Sequence, residues 1–157
     1  MNLERALLRV FVWPGHRLAI RLSGGRMGAR SLTRDGMGTL ILTTTGRRSG
    51  ARRDTPIYYM PDGDRFVVVA SNAGGTTDPA WWLNLQASGT AQIRTSAGSA
   101  SVRAREASKQ ERERLWPELV RRNPRYAHYV EQTGRPIPVV ILESRVSGDG
   151  PSPDSCV

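Results

Sequence analysis

Apolar and polar positions alternate along the chain in two periods, and the change of period marks the elements. From Asn2 to Leu22, Leu3, Leu7, Leu8 and Phe11 recur at helical spacing with Arg5 and Arg9 opposite. This predicts an amphipathic helix, interrupted at Pro14 and continued by Arg17 and Arg21. Residues 23–38, headed by Ser23-Gly24-Gly25, predict a loop. Strand patterns then take over at Thr39–Thr45 and Thr55–Met60, with a turn at Pro61-Asp62-Gly63-Asp64. Phe66–Ser71 contains the run Val67-Val68-Val69-Ala70, which predicts a strand buried on both faces. Asp78-Pro79 predicts a helix start with Asp78 as N-cap and Pro79 as first helical residue, running from Ala80 to about Ala87. Ala91–Thr95 and Ser99–Ala104 alternate as an antiparallel pair.

Ser108-Lys109-Gln110-Glu111 is a capping box opening a helix through Leu115, Trp116, Leu119 and Val120. Pro124–Gln132 predicts a second short helix, and Pro138–Glu143 a final apolar strand. From Ser147 onward Gly, Pro, Ser and Asp dominate, predicting a disordered tail. About six strands with tight connections favour antiparallel pairing. The predicted class is α+β: a small antiparallel β-barrel with peripheral helices, because closure removes exposed edges. The division expected is an N-terminal helix and loop over 1–37, the barrel domain over 38–146, and a tail over 147–157.

Composition narrows the partners. The 157 residues carry a net charge of +9, and Lys109 is the only lysine among 23 basic residues. Such a surface favours anionic partners. Cys156 is the only cysteine, so no internal disulfide and no cysteine-based metal cluster is expected. The early apolar run Val10–Trp13 is too short for a membrane span or a signal core, and a cytoplasmic setting is expected. No RNP-type motif is present, and nucleic acid is not the expected partner.

The densest chemistry lies at Thr43-Thr44-Thr45-Gly46-Arg47-Arg48-Ser49-Gly50-Ala51-Arg52-Arg53, between two predicted strands. Glycines permit close backbone approach, consecutive amides form an anion-binding hollow, and arginine forks match phosphate or carboxylate oxygens. A polyanion held at a hairpin turn is the expected ligand. Ser71-Asn72 and Asp78–Asn84 form a strand end, a Gly-Gly loop and a helix start that can offer N–H donors. Trp81 and Trp82 can wall a planar ligand or fill the core. Tyr126 and Tyr129 share a helix face, open equally to packing and to ligand contact. His16 and His128 have no nucleophile partner at a recognisable spacing, and no metal motif occurs. A bound cofactor is the expected source of any redox chemistry.

Three strings in register carry a resemblance: Leu42 to Gly50 with Arg53, Pro56 and Tyr58; Val69-Ala70-Ser71-Asn72 with Gly74-Gly75; and Pro79 to Leu85. Over residues 38–143 the chain resembles the deazaflavin-dependent nitroreductase family, split β-barrel oxidoreductases that use the 8-hydroxy-5-deazaflavin coenzyme F-420. The resemblance implies hydride transfer from the reduced, polyglutamylated coenzyme to a quinone, enone or nitro compound. It places Arg47, Arg48 and Ser49 at the phosphate and acidic tail, and Arg53, Asp54, Thr55, Pro56, Ile57 and Tyr58 along the cofactor channel. Val69, Ala70, Ser71 and Asn72, with Ala80, Trp81, Trp82, Leu83 and Asn84, would surround the ring and its polyol. Tyr58, Tyr126 and Tyr129 would contact the acceptor, and Ser71 and Tyr126 are the hydroxyls implied as proton donor or orienter. Nitroimidazole-activating relatives have a further tyrosine where this chain has Asn123, so that activity does not carry over. The alternatives are an FMN-binding split barrel and a non-catalytic basic module. FMN has one phosphate and no acidic tail, less than four arginines would serve. The N-terminal helix can also lie on an anionic membrane surface, and either monomer or homodimer is expected.

Overall fold

The structure is a computed structural model, and it describes residues 32–145. The predicted N-terminal helix and the tail lie outside the described residues. Six strands close into one antiparallel barrel in the order β1-β2-β3-β6-β5-β4. They are β1 (Gly38–Thr45), β2 (Arg52–Asp62), β3 (Arg65–Val69), β4 (Thr90–Thr95), β5 (Gly98–Glu106) and β6 (Val139–Ser144). Three α-helices lie among them: α1 (Ala80–Ser88), α2 (Lys109–Arg122) and α3 (Arg125–Thr133).

Alternation sorts the side chains into two cores. Leu40 and Leu42 of β1, Tyr59 of β2, Val68 of β3, Val102 of β5 and Val140 and Leu142 of β6 point into the barrel, where Trp81, Trp82 and Leu85 of α1 join them. The opposite parity, Met60, Val67, Val139 and Ile141, packs with Leu115, Leu119 and Tyr126 from α2 and α3. Both faces of β3 and β6 are therefore dry, as the valine run predicts. Closure is made by β1 against β4, with Leu42 opposite Ile93.

Three of the departures from expectation bear on the site. β2 starts at Arg52, because Thr43, Thr44 and Thr45 pair with Asp54, Arg53 and Arg52. Two of the loop arginines are thus strand residues. β3 ends at Val69 rather than Ser71, since Ser71 adopts a helical backbone and opens a 3-10 turn at Asn72–Gly74. Asp78 does not cap α1: the N-cap is Pro79, in extended backbone, and the Asp78 carboxylate accepts from Arg135 at 2.6 Å instead. The capping box of α2 is present, with Glu111 N–H donating to Ser108 Oγ at 3.2 Å and Ser108 N–H to Glu111 Oε2 at 2.9 Å.

Candidate functional site

The β1–β2 connection is a tight turn: Gly46 N–H donates to Ala51 O at 2.8 Å, and Gly50 N–H to Gly46 O at 2.7 Å. Gly50 has φ of +65°, a backbone that favours glycine. Asn84 of α1, buried at 4% exposure, fixes this turn to the barrel. Its Oδ1 accepts from Arg47 N–H at 3.1 Å and Arg47 Nη1 at 3.4 Å, and its Nδ2 donates to Thr44 Oγ1 at 3.1 Å. The Ser49 hydroxyl accepts from Ala51 N–H at 3.3 Å.

A cleft of about 1050 Å³ opens beside this turn. One wall is Arg47, Arg48, Ser49 and, on β2, Arg53, Thr55, Pro56, Ile57 and Tyr58. A second is Val69, Ser71 and Asn72, continued by Ala80, Trp81 and Asn84. The third is Tyr126 and Tyr129 of α3. The cleft thus brings together sixteen of the residues singled out from sequence, drawn from segments far apart in the chain.

Four candidates are not brought to it. Asp54 points to the other side of β2, accepting from Thr43 Oγ1 at 2.6 Å and Arg52 Nε at 3.5 Å. Ala70 is fully buried in the barrel core. On α1, residues 80, 81 and 84 fall within about a third of a turn. Trp82 lies nearly opposite them and fills the barrel, while Leu83 falls to the side. Of the two tryptophans, then, Trp81 serves cleft and core together, and Trp82 the core; their rings meet edge-on at 6.4 Å. Thr44, Gly46, Ala73, Pro79, Asn123 and Arg125 also line the cleft, beyond the residues the sequence assigned to it. Their neighbourhood to the motifs was the available signal for the first four. Asn123 caps the C-terminal end of α2 and Arg125 opens α3, and the packing of α3 brings both to the cleft.

The charge of the lining is one-sided. Among the described residues, Arg47, Arg48, Arg53 and Arg125 face the cleft, and no aspartate or glutamate does. Among the described residues the guanidinium groups of Arg48, Arg53 and Arg125 have no partner. The tyrosines differ in exposure: Tyr58 is 61% exposed, whereas Tyr126 is 4% exposed and packs against Trp116 and Tyr129. Burial pushes the Tyr126 hydroxyl up to about 12, opposed by a hydrogen bond from Asn123. It stays protonated at neutral pH. No group of three or more metal-ligating side chains occurs among the described residues.

Known proteins are similar to this chain in sequence and architecture. The sequence profile of the F420H2-dependent quinone reductase family matches residues 15–144. The F420H2-dependent quinone reductase Rv1261c of Mycobacterium tuberculosis is 34% identical over 133 residues, spanning 83% of this chain and 88% of its own length. A solved F420-H2 dependent reductase, FDR-A, superposes with a TM-score of 0.61 at 32% identity, over 72% of this chain and 98% of that one. A structure described as a domain-swapped dimer superposes with a TM-score of 0.63 at 32% identity, over 83% of this chain and 97% of that one.

Proposed function

The chain belongs to the F420H2-dependent quinone reductase family, with F-420 as its coenzyme, and from that premise we propose that the arginine-lined cleft seats this coenzyme beside a quinone acceptor. The observation that carries the assignment of the cleft is its lining, among the described residues, of four arginines and no carboxylate. A coenzyme with a phosphodiester and a glutamate tail needs unpaired cations at one part of its site and flat walls at another. Arg48 and Arg53, without partners among the described residues, and the aromatic faces of Tyr58 and Trp81 fit that demand.

When bound in its reduced form, the coenzyme supplies a hydride, which with one proton converts a quinone to its hydroquinone. The chain's own part is binding, orientation and exclusion of water. The turn binds the anionic tail through charge-assisted hydrogen bonds from Arg47, Arg48 and Arg53, with Ser49 beside them. Thr55, Pro56 and Ile57 continue that wall, opposite Val69, Ser71, Asn72, Ala80, Trp81 and Asn84. Tyr58, Tyr126 and Tyr129 face the acceptor. With its pKa pushed to about 12, the Tyr126 hydroxyl keeps its proton and acts by donating a hydrogen bond that orients a carbonyl. Ser71 is the second hydroxyl for this role. Asp54, Ala70, Trp82 and Leu83 act only indirectly, through the strand and helix that carry the lining.

No helix among the described residues is long and apolar enough to cross a membrane. A cytoplasmic enzyme, docked on anionic lipid by residues 2–22, is proposed from the basic amphipathic pattern of that segment and the lipid solubility of quinones. Co-sedimentation of the full chain with anionic vesicles, lost in a form starting at Ser31, supports it; equal sedimentation of both forms overturns it. Similarity to a domain-swapped dimer supports a homodimer as one state of the chain beside the monomer.

Titration of tryptophan fluorescence with coenzyme F-420 and with FMN tests the site. The Arg47→Ala, Arg48→Ala double variant is expected to bind the coenzyme at least about tenfold more weakly at low salt. The gap narrows at high salt, where exposed charges are screened. Unchanged affinity overturns the assignment, and preference for FMN favours a flavin site.

A further inference from the structure

Arg135 does not line the cleft, yet its guanidinium touches the segment that forms the cleft's second wall. Its Nη2 donates to Ala70 O at 3.0 Å and Ser71 O at 3.3 Å. Its Nε donates to Gly75 O at 3.1 Å. Its Nη1 donates to Asp78 Oδ1 at 2.6 Å and Pro136 O at 3.1 Å. All five N–H donors of a guanidinium are thereby used, and the side chain is only 15% exposed.

The segment it grips is strained. Asn72 and Ala73 have φ of 49° and 52°, the left-handed region that L residues other than glycine seldom adopt. Such a backbone persists only where its surroundings hold it. The grip also reaches α3: Thr133 Oγ1 donates to Gly75 O at 2.8 Å. A Cβ added to Gly74 would lie 2.9 Å from the Tyr129 ring. The segment is therefore wedged between the end of β3, the start of α1 and an aromatic residue on the cleft's third wall.

We infer that Arg135 is a positioning residue of the cleft, holding Ser71–Asp78 in the arrangement in which Ser71, Asn72 and Ala73 face the coenzyme and Gly74 backs Tyr129. The inference rests on the reading of the cleft as the coenzyme site. Only a planar fork serves here, because a lysine ammonium has three donors in a compact head and cannot reach carbonyls on two sides.

The test uses the full chain and three variants: Arg135→Lys, Asp78→Asn, and Arg114→Ala as a control. Arg114 donates to Asp62 at 2.9 Å, and neither residue lines the cleft. Amide exchange in the coenzyme-free protein and coenzyme affinity by fluorescence titration are measured for each. Arg135→Lys is expected to accelerate exchange at Gly74 and Gly75, leave the strands protected, and weaken coenzyme binding by about tenfold. Asp78→Asn, which keeps the shape and removes one charged contact, is expected to weaken it by about threefold. It decides the matter should the lysine variant not fold. Affinity within twofold of the parent for the folded variants overturns the inference. So does an equal loss in Arg114→Ala, which would make it a general effect of lowered stability. A parent chain that binds no coenzyme overturns the reading of the site, and the inference with it.

Discussion

A buried asparagine decides where the arginines stand. Asn84 meets the Arg47 amide and the Thr44 hydroxyl from one side chain. Asn84→Ala leaves both without that partner, at a cost of about 1–3 kcal/mol. Urea denaturation should show that loss, together with weaker coenzyme binding; a variant as stable as its parent would mean water replaces the amide freely. Tyr126 makes a second prediction. Its hydroxyl is raised from 10.0 to about 12 by burial, so folding disfavours the phenolate. The associated stability is complete below pH 10.0 and is lost as pH rises toward about 12. Tyr126→Phe should remove that alkaline slope while coenzyme affinity stays near the parent's and turnover with a quinone falls. An unchanged slope with unchanged turnover would remove Tyr126 from both roles. At this scale the sequence was legible for residues inside motifs, such as Arg47, Ser71 and Trp81. It was silent on Arg125 and Arg135, whose positions depend on how α3 packs against a loop far away in the chain.

Elements were legible where local chemistry and tertiary packing agree. The capping box at Ser108–Glu111 forms as its residues require, and every predicted strand from Thr39 onward is found. The misses lie at ends, where a distant partner wins. Arg52 and Arg53 extend β2 because the three threonines of β1 offer a ladder. Asp78 leaves its cap for Arg135, a partner more than fifty residues away. The start of α2 gives the third prediction. Glu111 binds Arg105 through both oxygens, at 2.7 and 2.8 Å, and accepts the Ser108 amide. Chiefly through Arg105, and next through Ser108, its carboxyl is held well below the usual 4.5. A depressed folded pKa means stability present above pH 4.5 and lost as pH falls through the folded value. Glu111→Gln should therefore lower stability at neutral pH and flatten the acid slope, as read by thermal unfolding across that range. A slope equal to the parent's would show that other carboxylates, Glu118 beside Arg121 and Arg122 among them, carry acid unfolding.

Residues 32–145 form a closed barrel whose inner face is apolar and whose cleft is cationic, and the two are joined by α1. That architecture follows from alternation: the strands send one parity to the lumen, and β2, β3 and β6 send the other to α2 and α3. The strand count and antiparallel class were readable from the pattern. The insertion of β6 between β3 and β5 was not, because pairing across the chain leaves no local signature. The net charge of +9 and the unopposed arginines of the cleft suit an anionic coenzyme, and the family supplies the redox chemistry. The most direct test mixes the parent chain anaerobically with reduced coenzyme F-420 and a soluble naphthoquinone, following the return of the oxidised coenzyme's absorbance. Quinone-dependent oxidation well above the enzyme-free rate, one coenzyme per quinone reduced and strongly slowed in the Arg47→Ala, Arg48→Ala variant, is the predicted result. Oxidation no faster than without the enzyme, although the coenzyme binds, would contradict it.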